Sequence, residues 1–222
     1  MIPWAATVLL AAAGYLLGAI PTGVLVGRLY GADPRAVGSG RVGATNAFRA
    51  MGWRGGGLVA LGDLAKGLVI TLLALRFTGG MPLQVGLVGL CTVLGQVWSI
   101  FLLGRGGRGV ATSAGVALAL WPLGALVAAV VLALVIKLGR MVSLASLLAA
   151  AALVGYVALA VRDLGWTLVA VALCLTVWFS HLDSIRRLAA GTGGGCRAPG
   201  PAPFHEDRAG FSAAPLRCPI PE

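Results

Sequence analysis

Five stretches of this chain run for 17 residues or more without a charged side chain: Met1–Gly27, Phe77–Gly104, Gly109–Ile136, Met141–Val161 and Leu164–Ser180. A helix that crosses a bilayer needs about 20 predominantly apolar residues. In hydrocarbon, backbone polar groups are satisfied only within helices or closed barrels. The runs are continuously apolar and lack the alternation of a barrel strand, so they predict helices. Charged residues are 11% of the chain, against about 25% in a soluble domain, too few to face water all round.

The same runs set the topology. The 28-residue stretch Gly109–Ile136 would extend about 42 Å as one helix, too long for one hydrocarbon core and too short for two. Trp121–Pro122 offers the break, since proline removes a donor and clashes with the preceding turn. Spans are expected at about 4–28, 56–76, 82–103, 110–120, 122–137, 141–160 and 164–180. This is an all-α integral membrane protein of about seven transmembrane helices, the fourth short. The first run is read as a span and not a cleaved signal, because Arg28 follows it whereas a signal peptide carries its cations in front.

A net charge of +10 could suggest nucleic acid, but the cations cluster between spans, as the positive-inside rule expects of cytoplasmic loops. With the N-terminus outside, 14 of the 17 Lys and Arg fall on one side; Arg76 and Arg162 fall on the other, and Lys66 lies within a span. Nucleic acid is therefore not an expected partner. The four cysteines lack metal-ligand spacing, so neither metal nor disulfide is expected. Gly14, Gly18, Gly23 and Gly27 are read as a close-packing face. Asp63 and Lys66, three apart within a span, are either a structural ion pair or part of a site. Residues 1–192 form the membrane domain, and the Pro/Gly-rich segment 193–222 is expected to be a disordered cytoplasmic tail.

Three polar stretches share the cation-rich side: Gly38–Gly57 (GSGRVGATNAFRAMGWRGGG), Gly104–Gly115 (GRGGRGVATSAG) and His181–Thr192 (HLDSIRRLAAGT). Glycines let amides converge on an anion, a following helix N-terminus adds its positive end, and arginine supplies bidentate donors. The pattern suits phosphate at a membrane surface. Gly104, Gly106 and Gly109 also match G-x-G-x-x-G, but follow an apolar run and not a βαβ strand, which excludes a dinucleotide fold.

At these residues the chain resembles the bacterial acyl-phosphate-dependent glycerol-3-phosphate acyltransferase family (PlsY). Ser39–Arg49 reads SGRVGATNAFR against the family's S-G-N-I-G-A-T-N-x-x-R, with a similar lead-in from Gly18 and a D-x-x-K-G at Asp63–Gly67. GQVWSIFLLGRGGRGVATSAG resembles G-H-x-F-P…KGGKGVAT, SLAS at Ser143–Ser146 resembles the family, and HLDSIRRLAAGT resembles H-x-x-N-I-x-R-L-x-x-G-T. Arg41 stands for the motif's Asn, Gln96 for its His, Ser99 for its Pro, Arg108 for its Lys and Ser184 for its Asn.

The resemblance implies transfer of an acyl chain from acyl phosphate to the 1-hydroxyl of glycerol 3-phosphate, with membrane lipids as surroundings and no cofactor. It implies residence in the bacterial cytoplasmic (inner) membrane, with the motif loops and C-terminus cytoplasmic. By motif position, Ser39, Arg49, Arg108, His181 and Ser184 are the implied catalytic residues. Gly43, Thr45, Asn46, Gly106, Gly107, Gly109, Ser143 and Ser146 are the implied substrate ligands, Ser143 and Ser146 through their hydroxyls. The acyl tail would lie between helices. No H-x-x-x-x-D base pair is present: the positions five beyond His181 and His205 hold Arg186 and Gly210. An activated donor fits that lack, and the resemblance implies that the donor's own phosphate takes the hydroxyl proton. Two other readings stay open: a catalytically impaired lipid-binding paralogue, motivated by the departures, and a small anion transporter, which needs a polar path across the bilayer.

Overall fold

The computed structural model describes residues 4–139, 141–183 and 186. Arg140, Ser184 and the proposed tail 193–222 lie outside the described residues. The described residues are helical throughout the bundle: α1 (Trp4–Ala19), α2 (Thr22–Tyr30), α3 (Ala44–Phe77), α4 (Pro82–Val97), α5 (Val110–Leu120), α6 (Pro122–Gly139), α7 (Val142–Tyr156) and α8 (Leu164–Ser180). A π-helical turn, Val157–Val161, prolongs α7. Four stretches are long and apolar enough to cross a membrane alone: Trp4–Tyr30, Ala44–Phe77, Pro82–Leu102 and Val142–Val161; α5, α6 and α8 are shorter and equally apolar. Counting α1 and α2 as one broken span, the chain passes back and forth seven times, and α5, with 11 residues, is the expected short member.

Apolar surface provides little drive for helix association inside lipid, so close backbone approach and polar contacts must supply it. The bundle uses glycine reciprocally. A Cβ on Gly18 would lie 2.0 Å from the Thr92 carbonyl oxygen, and one on Gly95 2.1 Å from that of Tyr15, so α1 and α4 touch backbone to backbone. Gly67 and Gly115 do the same for α3 and α5. The expected glycine face of the first span is thus divided: Gly14 and Gly18 meet α4, whereas Gly23 meets Val42 and Gly27 meets Ala32 in the following loop. Between α4, α5, α7 and α8 lies a core of Val93, Val97, Val116, Trp121, Leu153 and Leu173. Trp121, at the α5–α6 break, meets Trp166 edge to face at 5.8 Å.

Three expected boundaries change. The first span breaks at Ile20–Pro21, where proline cannot donate and α2 restarts at Thr22. Helix α3 begins at Ala44 and not near 56, kinking at Gly52, whose φ of 67° suits only glycine; Arg49 and Arg54 are therefore helical and not in a loop. Helix α4 ends at Val97, and a 3₁₀ turn, Ile100–Leu102, carries the chain onward.

Asp63 and Lys66 repair the first of these breaks. Lys66 is 6% exposed and Asp63 2%. The Lys66 ammonium lies 2.9 Å from Asp63 Oδ1, 2.9 Å from Gln96 Oε1, 2.8 Å from Thr22 Oγ1 and 2.5 Å from the Ile20 carbonyl, which it caps at the end of the first helix. Gln96 Nε2 donates to the second Asp63 oxygen at 2.8 Å, and the Thr22 hydroxyl donates to the first. The pair is a structural node joining both halves of the first span to α3 and α4. Removing one partner of a buried pair costs about 3–5 kcal/mol, because the other charge stays buried and uncompensated. Lys66→Met should therefore strongly lower the unfolding midpoint in mixed micelles, and adding Asp63→Asn should recover much of the loss. A Lys66→Met protein as resistant as the parent would remove the node from this account.

Candidate active site

Four helix ends meet at one end of the bundle: the N-termini of α3, α5 and α7 and the C-terminus of α8. Each helix N-terminus leaves its first amides without intrahelical partners and carries a partial positive charge. The loops before α3 and α5 touch, since a Cβ on Gly43 would lie 3.8 Å from both Gly107 Cα and the Arg108 amide.

Asn46 organises the first loop. It lies in the first turn of α3, 2% exposed, and uses both ends of its carboxamide. Its Nδ2 donates to Ser39 Oγ at 3.2 Å and to the Arg41 carbonyl at 2.9 Å, while Oδ1 accepts from Arg49 Nη1 at 3.0 Å. Since Ser39 Oγ accepts there, its own proton is left for something else. Thr45 stands beside Asn46 in the same turn, half-buried.

The second loop is strapped to the end of α4. The Gly106 amide donates to the Val97 carbonyl at 3.1 Å and that of Gly107 to Gln96 at 2.8 Å. A Cβ on Gly106 would come within 2.1 Å of the Gln96 carbonyl oxygen, so glycine is required there for space. The amides of these two glycines point into the protein and not toward an anion. The donors left to the site are the first amides of α5, beyond Gly109, which takes a φ of 74° at the N-cap.

Arg108 connects three elements. Its Nη1 donates to Ser143 Oγ at 2.8 Å on α7, and its carbonyl accepts from Ser180 Oγ at 2.9 Å at the end of α8. His181 follows directly, 1% exposed, with Nδ1 2.8 Å from the Val177 carbonyl. A carbonyl only accepts, so we assign the proton to Nδ1, leaving the Nε2 lone pair unused. Burial pushes the His181 pKa down to about 4; the Val177 hydrogen bond opposes this, and the guanidiniums of Arg108 and Arg41 add to it. The ring is thus neutral at ordinary pH. Arg41 and Asp183 close the circle with a loose ion pair of 3.9 Å between the first and third loops.

Of the residues expected at a site, Ser39, Gly43, Thr45, Asn46, Arg49, Gly106, Gly107, Arg108, Gly109, Ser143 and His181 share this end of the bundle. Ser184 lies outside the described residues. Ser146 sits one turn deeper than Ser143, and its hydroxyl donates to the Val142 carbonyl at 2.9 Å. It lines an apolar cavity of about 120 Å³ between α5, α6, α7 and α8, together with Val110, Ser113, Ala128, Ala149 and Val177. The cavity reaches Ala117 and Leu153, seven residues from Val110 and Ser146, a depth of about 10 Å at the helical rise. Ser180 and Gln96 are additions: the sequence pattern places neither at the site, yet one holds the Arg108 backbone and the other the Gly107 amide. A cationic, amide-rich centre at the mouth of an apolar slot suits a molecule with a phosphate at one end and an alkyl chain at the other.

Comparison with known proteins agrees. The family model described as Glycerol-3-phosphate acyltransferase matches residues 8–191. The chain belongs to the glycerol-3-phosphate acyltransferase family. A family relative named glycerol-3-phosphate acyltransferase from Trichlorobacter lovleyi is 44% identical over 181 residues, covering 82% of this chain and 93% of the relative. Another of that name, from Thermus thermophilus, is 43% identical over 184 residues, covering 80% and 89%. The crystal structure of PlsY, an integral membrane glycerol 3-phosphate acyltransferase, in its glycerol 3-phosphate form superposes with a TM-score of 0.80 at 33% identity, covering 90% of this chain and 96% of that one. Its lysophosphatidic acid form gives 0.79, covering 84% and 93%.

Within this family member, Asn46 makes a local prediction. Asn46→Ala takes an acceptor from the exposed Arg49 and the donor from the Arg41 carbonyl and Ser39 Oγ, at about 0.5–1.5 kcal/mol for each hydrogen bond that pins the loop. The variant should unfold at lower temperature and be cut by trypsin after Arg41 faster than the parent under native conditions. Unchanged cleavage would mean that Asn46 does not hold the loop.

Proposed function

We propose that this protein transfers an acyl chain from an acyl phosphate to the 1-hydroxyl of glycerol 3-phosphate, releasing lysophosphatidate and phosphate. The observation that carries this reading is the Arg108–Ser143–His181 group standing over the mouth of the apolar cavity. The donor's alkyl chain lies in the cavity, the first-turn amides of α5 and the Arg108 guanidinium face its phosphate, and Ser39, Thr45, Asn46 and Arg49 complete the polar enclosure. The cation-rich end is the cytoplasmic side of the bacterial inner membrane, with the N-terminus outside, in line with the positive-inside distribution of Lys and Arg.

The chemistry needs little from the protein beyond placement. The hydroxyl oxygen attacks the acyl carbonyl carbon, the bond from that carbon to the phosphate oxygen breaks, and the hydroxyl proton ends on the departing phosphate. His181, neutral with a bare Nε2, accepts a hydrogen bond from the attacking hydroxyl and aims its lone pair. Arg108 and the α5 amides stabilise charge as it gathers on the carbonyl and phosphate oxygens. Among the described residues the buried charged groups are Asp63 and Lys66, paired with each other, and the other buried polar side chains away from the site, such as Thr7, Thr71 and Gln84, are uncharged, which favours this reading over an ion path across the bilayer.

Purified protein in detergent, given palmitoyl phosphate and radiolabelled glycerol 3-phosphate, should form labelled lysophosphatidate with one phosphate released per acyl group. Absence of product from folded protein would overturn the proposal. Arg49 is exposed, so Arg49→Ala should leave unfolding unchanged while reducing turnover about 100-fold, equivalent to two charge-assisted contacts; full activity would reject its role. For His181, the ratio of kcat/KM between parent and His181→Gln should stay flat from about pH 6 to pH 8. A histidine of ordinary pKa would raise that ratio about fourfold across the interval, and such a rise would contradict the buried, neutral ring.

A further inference from the structure

The reaction brings together two phosphates, each close to doubly charged, and the guanidiniums already placed at the centre are partly engaged, that of Arg108 with Ser143 and that of Arg49 with Asn46. A polar cavity of about 330 Å³ lies beside that centre, lined by Ser39, Gly40, Arg41, Gly104 and Arg105. Neither Arg41 nor Arg105 is among the implied catalytic residues or ligands; Arg105 stands at the first lysine of the family's KGGKGVAT, and at Arg41 the motif carries a neutral asparagine.

Three amides of the cavity wall are committed elsewhere. The Gly40 amide donates to the Val37 carbonyl at 3.2 Å, that of Gly104 to Ser99 at 2.9 Å and that of Arg105 to Leu102 at 3.0 Å. Asn46 fixes the other wall through the Arg41 carbonyl and Ser39 Oγ. The walls are therefore held, and the lining residues bring side-chain donors: the uncommitted Ser39 proton and two guanidiniums. Among the described residues the Arg41 side chain has only the 3.9 Å pair with Asp183, which is 68% exposed, and Arg105 has no ion pair. The contrast is Arg35, held by Asp33 through bonds of 2.7–3.0 Å. A loose exposed pair contributes little to stability, so a dianion can displace Asp183 and take a bidentate place on Arg41. The cavity also adjoins the reacting groups, since Gly43 packs against Gly107 in the turn that leads to Arg108.

Building on the acyltransferase reading, we propose that Ser39, Arg41 and Arg105 form a second phosphate subsite, on the water-facing side of the Arg108 centre. It takes a phosphate monoester or the phosphate dianion itself, so that the two charged reactants lie on separate guanidiniums while their reacting ends meet between them. Asp183 competes with that ligand for Arg41.

The test uses the full-length protein in detergent and two readouts. Binding of inorganic phosphate by calorimetry should weaken about tenfold in Arg41→Ala and in Arg105→Ala, the size of one charge-assisted contact, and should tighten two- to threefold in Asp183→Asn, a gain that misfolding cannot mimic. In steady-state assays both arginine variants should raise a KM about tenfold with kcat within about twofold. A rise confined to glycerol 3-phosphate assigns the subsite to the acceptor. A rise confined to palmitoyl phosphate, with weaker inhibition by inorganic phosphate, assigns it to the donor and the leaving group. Unchanged phosphate binding and unchanged KM for both substrates, or no effect of Asp183→Asn, would overturn the subsite. A parent protein that binds phosphate as described but makes no lysophosphatidate would instead sink the acyltransferase reading and leave the subsite standing.

Discussion

One buried ammonium sets the frame for the rest. In hydrocarbon an unpaired charge or an uncapped helix end is costly, and the break at Pro21 creates the second of these. Lys66 answers it by capping the Ile20 carbonyl while its charge is balanced by Asp63. The node then reaches the site through Gln96, whose side chain serves Lys66 and Asp63 and whose carbonyl receives the Gly107 amide. A polar requirement deep in the bundle thereby fixes the turn that presents Arg108. The Arg108 loop is positioned from below by the Asp63–Lys66 node.

The site itself is a consequence of parity. Helices that alternate direction bring the N-termini of α3, α5 and α7 to the same end, where each offers unpaired amides and a positive dipole end. That end attracts anions before any side chain is added. The arginines and Ser39 refine a field that the backbone already supplies, and α5, cut short at Trp121, leaves room below for the apolar cavity. Small side chains such as Ala128 and Ala149 keep that cavity open and apolar beside the cationic end of the bundle.

Much of this was legible from the chain. Hydropathy marked the spans, Trp121–Pro122 marked the α5–α6 break, and the clustering of Gly, Ser and Arg marked the loops that meet. What it missed follows from what hydropathy measures. The first span reads as one continuous apolar run because transfer energies register side chains and not the lost amide of Pro21. The start of α3 at Ala44 was hidden by Arg49, Arg54 and five glycines from Gly43 to Gly57, which suit a loop by composition. Gly106 and Gly107 looked like phosphate-binding amides. Only the distance to Gln96 reveals that they are small in order to pack, with their amides turned inward. The role of Gln96 could not be found locally at all, because its partners lie about 30 residues away in sequence.

The departures from the family motif gain a physical meaning in this setting. A chain drifting away from function should accumulate groups left without partners. Here Gln96, in place of histidine, supplies one donor and one acceptor to Asp63 and Lys66 together, and an amide does so without titrating. Ser99, in place of proline, donates to the Ala19 carbonyl at 2.5 Å, capping the same helix end that Pro21 interrupts. Arg108, in place of lysine, has a planar fork that can hold Ser143 with one nitrogen and present others elsewhere. These three substitutions are each absorbed by a specific bond, at the node, at the helix break and at the turn between them, while Arg41 keeps only its loose pair with Asp183 and Ser184 lies outside the described residues. Where the departures can be followed, the side chains present keep the helix break and the Arg108 turn bonded, which weighs against a decayed paralogue.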